Sequence, residues 1–212
     1  MSFATFGDLK NRILADTGRA GDSVFIAEIP GFVRLAEQRI FHGAPNERIR
    51  IRDMELTENV TVTAGDGSLP TRFLEPIAAI WSQGTSSTEP LFSAPREIHL
   101  RRVADGSSGP ARLYTIEGNQ VKVWPAQSGT LVMTYSRAYA PLIAEADTNW
   151  VLQNAPSVYL HAIMIEVFRF LRDPEKFVAS NTDYLKAVAG LRSSDSRSRF
   201  TATSVRRASA FA

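Results

Sequence analysis

Apolar residues recur every third or fourth position at both ends of the chain and every second position in its middle. The first end opens on Thr5-Phe6-Gly7-Asp8, a hydroxyl at N-cap and an acid three residues on, which is the pattern of a capping box. Phe6, Leu9 and Ile13 follow at helical spacing, and Gly18 supplies a stop. Ser23 to Ile29 suggests one further short turn, with Pro30 opening the next helix at its first position. Phe32, Val33, Ala36 and Ile40 form the buried stripe of that helix, and Arg34, Glu37, Gln38 and Arg39 its wet face. His42-Gly43-Ala44-Pro45 ends it.

After Arg48 the period shortens. Ile49 and Ile51, then Val60 and Val62, alternate with polar residues as a strand does. Gly65-Asp66-Gly67-Ser68 reads as a turn and Ile77 to Trp81 as a strand. Pro90 to Leu100 reads as a strand, or a loop leading into one. Asp105 to Pro110 is a loop. Leu113 to Ile116, Gln120 to Trp124 and Gly129 to Tyr135 are three strands, the first two joined by the short turn Glu117-Gly118-Asn119.

Helical spacing then returns. Pro156 fits a first helical position, and Tyr159, Leu160, Ile163, Val167, Phe168 and Leu171 make a broad apolar face. Asp173-Pro174 stops one helix and starts another, aspartate as N-cap and proline at the first position. Phe177, Val178, Tyr184, Leu185, Val188 and Leu191 are the second stripe. The short link predicts an antiparallel hairpin. From Arg192 the pattern dissolves into Ser, Arg, Thr and Ala, too few apolar residues to order a segment by burial.

The expected fold is therefore α+β: an α-helical bundle built from the N- and C-terminal helices, an inserted antiparallel β domain, and a flexible C-terminal tail. The expected boundaries are 1–48 for the N-terminal helices, 49–136 for the β insertion, 137–192 for the helical hairpin and 193–212 for the basic tail.

Composition changes this picture in three places. The chain has no cysteine, which excludes disulfides, thiolate nucleophiles and cysteine-based zinc sites. No stretch nears the ~20 apolar residues of a membrane span, and Met1 to Asp16 lacks the apolar run of a signal peptide, so no membrane anchor is expected. The net charge of +2 is unevenly spread. Gly190 to Ala212 holds five arginines against Asp195, a balance of +4 that leaves −2 for the rest. A basic tail on a mildly acidic body is the pattern of an interaction arm. Its candidate docking residues are Arg192, Arg197, Arg199, Phe200, Arg206, Arg207 and Phe211.

Catalytic chemistry finds little purchase. His42, His99 and His161 are far apart, and His161 stands five residues before Glu166, which is not a metalloprotease helix motif. Glu166 falls near an apolar face, where an isolated charge is costly. It reads either as a catalytic acid or, with more weight, as the partner of an arginine such as Arg169 or Arg34. Asp53, Glu55 and Glu58 form an acidic run, but any two acids of a glycosidase must face one cleft. The glycine-rich stretches lack the phosphate-loop lysine and following helix, and no serine sits in a G-x-S-x-G elbow. No catalytic residue, cofactor or metal is expected.

Four stretches, in order, resemble the phage head-to-tail adaptor proteins, especially those of short-tailed phages. They are Ile29-Pro30-Gly31-Phe32-Val33-Arg34-Leu35-Ala36-Glu37-Gln38-Arg39-Ile40; Ser68-Leu69-Pro70-Thr71-Arg72-Phe73-Leu74-Glu75-Pro76-Ile77; Gly109 to Asn119 leading to Val123-Trp124-Pro125 and Met133-Thr134-Tyr135; and Asn149 to Pro156 followed by Tyr159-Leu160 and Phe170-Leu171-Arg172-Asp173. The resemblance implies a structural virion protein of the neck, assembled in the host cytoplasm. It would form a dodecameric homo-oligomeric ring beneath the portal protein. The helices and tail would grip the portal, and the β insertion would face the tail nozzle and, in some phages, the fibres. Double-stranded DNA would pass through the ring without sequence recognition. Two other readings stay open: a nucleic-acid-binding module acting through the basic tail, and a virion-associated wall hydrolase.

Overall fold

The computed structural model describes residues 3–84, 86–104 and 108–208, with the side chains of 86 and 199–208 outside that description. It divides into two compact units. One joins the chain up to Asp53 with the chain from Tyr139 onward, and the other is Met54–Ala138.

The first unit is helical. Helix α1 (Phe6–Thr17) starts on the expected capping box: Thr5 accepts from the Asp8 amide and Asp8 accepts from the Thr5 amide, at 3.3 and 3.1 Å. Gly18 ends it in the left-handed conformation, φ 66°, where a side chain would be strained. Helix α2 (Ser23–His42) differs from expectation. It is one continuous helix with Pro30 inside it, because Asp22 caps it earlier by accepting from the Phe25 amide, and because Phe25 and Ile29 are buried. Packing of those two turns outweighs the one backbone bond that proline removes.

Helix α5 (Pro156–Phe170) is the centre of the unit. From Ala162 to Phe168 every residue is buried, so it is covered on nearly all sides. Helices α1 and α2 pack on it, as does α6 (Pro174–Ala208), and a short helix α4 (Trp150–Asn154), capped by Asn149, precedes it. Phe170 meets Phe25 and Phe32 with ring centroids 6.3 and 5.4 Å apart. The expected Asp173–Pro174 start of α6 is present: Asp173 accepts from the Lys176 amide, and this bond with the Lys176 ammonium holds its carboxyl below the usual range. Arg172 turns the hairpin at φ 55°, a left-handed position that costs a residue with a Cβ roughly 1 kcal/mol.

The second unit is built on one eight-stranded sheet. Its strands are β1 (Glu55–Thr63), β2 (Asp66–Ser68), β3 (Phe73–Gln83), β4 (Ser86–Thr88), β5 (Leu91–Phe92), β6 (Leu113–Glu117), β7 (Gln120–Trp124) and β8 (Gly129–Arg137), in spatial order β4-β3-β8-β1-β2-β7-β6-β5. All neighbours are antiparallel except β5 and β6, which are parallel. The core alternates along each strand: Val60 and Val62 on β1, Val121 and Val123 on β7, Leu131, Met133 and Tyr135 on β8, with Trp81 fully buried on β3.

Three local expectations are corrected here. Ile49 and Ile51 are buried but lie in no strand, since Ile49 donates to the carbonyl of Ile40 in α2 rather than to a ladder. Asp66–Ser68 is a strand rather than a turn, because it bridges β1 and β7. Residues beyond Phe92 form helix α3 (Pro95–Ala104) rather than a further strand. Only Ile98 of α3 is buried, so it shows no helical stripe. It is held instead by Arg102, which donates to the carbonyls of Gly65 and Val123 at 2.7 and 3.0 Å and pairs with Asp66 at 3.1 Å. Gly65 sits at φ 93°, and a Cβ there would stand 2.9 Å from the Cβ of Ala126 and 3.0 Å from its Cα, so glycine is required.

Candidate docking surfaces

The candidate residues of the C-terminal arm from Arg192 to Arg207 lie on α6. Three turns of that helix grip one irregular segment at the end of α2. The hydroxyl of Tyr184, fully buried, donates to the carbonyl of Glu47 at 2.7 Å, and burial raises its pKa. Arg192 donates to the carbonyl of Pro45 at 2.6 Å and also to that of Arg48. Asp195 accepts from the Arg52 amide at 3.0 Å. These positions are eight and three residues apart, so they form one stripe along the helix. The stripe continues the line that buries Val188.

Arg192 is therefore engaged with the body of the protein. Arg197 donates to Ser193 one turn back, at 3.1 Å. The backbone is helical through Arg199, Phe200, Arg206 and Arg207 to Ala208, and Phe211 lies outside the described residues. The apolar pattern does dissolve at Arg192, but the helix does not stop there. Serine, arginine and alanine tolerate helical geometry well enough to propagate a helix already nucleated.

A second polar cluster joins residues far apart in the sequence. Glu37, expected on a wet face, is partly buried and accepts from the Leu142 amide at 2.9 Å and the Tyr159 hydroxyl at 3.4 Å. Asn149 donates to the same hydroxyl at 2.8 Å. Burial pushes the Glu37 carboxyl up to about 7 and raises the Tyr159 hydroxyl further above its usual range. The only hint in the sequence was its place next to the buried Ala36. The cluster pins the strap of residues 139–149, which also pairs with α1: Phe6 donates to the Asp147 carbonyl and Gly7 to that of Glu145.

Glu166 is buried and ion-paired on both oxygens, with Arg39 at 3.1 Å and Arg169 at 2.9 Å. Arg39 also reaches Glu47 at 3.2 Å. The arginine-partner reading holds with Arg169, and the second partner is Arg39 rather than Arg34. The acids Glu55 and Glu58 are three residues apart on β1 and point to opposite faces, so they do not converge. Asp53 accepts from the Tyr139 hydroxyl at 2.6 Å. His99 pairs with Glu117 on the second unit, while His42 and His161 sit on different helices of the first. Among the described residues no cluster of three His, Asp or Glu could hold a metal ion, and no helix is long and apolar enough to cross a membrane.

What these surfaces offer is contact chemistry: a helix clamped to its body and then continuing, and helical-unit grooves lined by aromatics and arginines. A family model described as SU10 adaptor protein matches residues 4–208. The chain belongs to that family. The match runs through both units and α6, so this adaptor is a structural protein of a phage particle across its whole described length. No curated protein matches this adaptor's sequence.

Proposed function

We propose that this adaptor forms a homo-oligomeric, dodecameric ring below the portal protein, joins it to the tail nozzle and fibres, and continues the channel through which double-stranded DNA leaves the head. The portal contact is assigned to the arm beyond Asp195, where Arg197, Arg199, Phe200, Arg206, Arg207 and Phe211 lie. The observation that carries the assignment is the change in α6. Up to Asp195 one face of it is held to the body by Tyr184, Arg192 and Asp195, and beyond it the sequence is arginine-rich with two phenylalanines and no acid. Arginine and aromatic residues are the side chains that dominate binding energy at protein interfaces. The location that follows is the neck of the virion, with assembly in the host cytoplasm.

The test is truncation after Ser196, which keeps the Arg192 and Asp195 grips. The truncated protein should unfold at the same denaturant concentration as the full chain and fail to join portal particles when the mixture is imaged. A truncated protein that still joins them removes the arm from the portal contact. DNA binding by the isolated full chain that weakens steeply with salt, and is lost on the same truncation, would favour the nucleic-acid reading instead.

A further inference from the structure

The first unit carries an apolar knob and an apolar socket that cannot meet within one chain. The knob is the strap stretch Ala140-Pro141-Leu142-Ile143-Ala144-Glu145-Ala146. Only Leu142 points inward, and Ile143 is 77% exposed. One exposed aliphatic is ordinary, but here Ala140, Pro141, Ile143, Ala144 and Ala146 are all exposed in one stretch, and a contiguous apolar surface held by a fixed backbone is a feature to explain. This backbone is fixed: Asp147 accepts from the amides of Ile143 and Ala144 at 2.8 and 2.7 Å, and Leu142 donates to Glu37.

The socket is a depression of about 400 Å³ at the α5–α6 turn, lined by Phe168, Arg169, Arg172, Asp173, Pro174 and Phe177. Its floor is aromatic. Arg169 lies over the Phe177 ring at 5.7 Å and Lys176 over Phe168 at 5.5 Å. Its rim is cationic, and the Arg172 side chain, exposed at a left-handed turn position, makes no ion pair or hydrogen bond among the described residues. Phe170 and Val178 extend the apolar surface beside it, 47% and 61% exposed.

The two features sit at opposite ends of the α2–α5 pair. The strap meets α2 at Glu37, which touches Tyr159 near the start of α5, while Phe25 and Phe32 touch Phe170 at its end. Tyr159 and Phe170 are eleven residues apart on one helix, about 16 Å at 1.5 Å per residue. The knob carries Glu145 and Asp147 against Lys10, and the socket rim carries Arg169, Arg172 and Lys176 against Asp173 and Glu166. Apolarity and sign of charge thus match between copies, and the two features are out of reach of each other within one.

We infer that the Ile143 knob of one subunit seats in the Phe168–Phe177 socket of the next copy of this chain, with Glu145 facing Arg172. Such a contact joins different faces of identical subunits, so its repetition gives a closed ring or an open filament. The inference rests on the ring reading above, but the contact itself can be tested apart from it.

The absence of cysteine makes the test direct. Two single-cysteine proteins, Ile143→Cys and Pro174→Cys, are mixed at high concentration and mildly oxidised, alone and on portal particles. Mixed 143–174 dimers should outnumber like-with-like dimers and exceed those from a control pairing of Pro174→Cys with Ser157→Cys, whose position is exposed on α5. A yield no greater than the control overturns the socket. Should either cysteine protein fail to fold, charge reversal replaces it. Glu145→Arg and Arg172→Glu should each weaken self-association about threefold, and together restore it. Reversals without effect, or a double variant no better than the singles, overturn the contact. Imaging of the unmodified protein on portal particles is scored separately. Rings without 143–174 linkage sink the contact alone, and linkage without rings sinks the ring alone.

Discussion

The two units treat polar side chains in opposite ways. In the strand unit the buried polar residues are hydroxyl-bearing, Ser93, Thr115 and Ser136. The helical unit buries Asn149 and Ser180 too, but also a carboxylate, Glu166, between two arginines, and it half-buries a second, Glu37, with no cation on it among the described residues. The difference follows from where each backbone finds its partners. Ladder bonds satisfy the sheet's amides and carbonyls, so its interior can be apolar. The helical unit contains two irregular stretches, 44–53 and 139–149, whose backbone groups have no ladder. Arg192, Tyr184, Asp195, Glu37 and Asp147 supply those bonds one by one. In the strand unit Arg102 plays this part where α3 meets β2 and β7.

Substitutions can break that contrast in graded steps. The largest effect belongs to the apolar interior. Trp81→Ala should cost about 4 kcal/mol in denaturant unfolding, since a fully buried indole leaves a cavity that a sheet cannot close. Glu166→Ala should come next at about 3 kcal/mol, because it strands Arg39, itself largely buried, beside the emptied site. A smaller loss than about 1 kcal/mol would mean that Glu47 alone satisfies Arg39.

Glu37 tests the same contrast through pH. Its carboxyl is raised from 4.5 to about 7 in the folded protein, so the fold binds that proton more tightly than the unfolded chain does. The contribution is full below pH 4.5 and is lost as pH rises to about 7. Glu37→Gln should therefore flatten the fall in stability between pH 5 and 8, gaining on the order of 2 kcal/mol over the parent at pH 8. Parallel pH curves for the two proteins would contradict the burial of Glu37. The smallest effect is expected for Arg192→Ala, about 1 kcal/mol for two carbonyls that water can partly replace. Amide hydrogen exchange should localise the change to residues 45–52.

Legibility in the sequence divides along the same line. The capping box at Thr5, the stop at Gly18 and the Asp173–Pro174 start were readable because a cap is made by residues within three or four positions of one another. Helix α3 was not, since its hold is Arg102 on carbonyls that are 37 and 21 residues away in sequence. Strand β2 has three residues, one of them glycine, and is defined only by its neighbours. Glu37 looked solvated because the strap that covers it returns 105 residues later. On the arm, charge counting singled out the arginines but could not separate Arg192, which reaches main-chain oxygens, from those that follow.

The helical course of α6 past its last clamp sets the mechanics of whatever that arm meets. From Asp195 to Ala208 is thirteen residues, about 20 Å of rod at 1.5 Å per residue. A coil of that length would lose backbone freedom at every residue on docking, whereas an arm that already visits a helical course gives up less. Docked as a helix, the arm presents its side chains at a helical pitch, which the receiving groove must match. Length then becomes a gauge: inserting one residue would turn the distal face by about 100°, and inserting a whole turn would move it outward by about 5.4 Å with its bearing nearly kept.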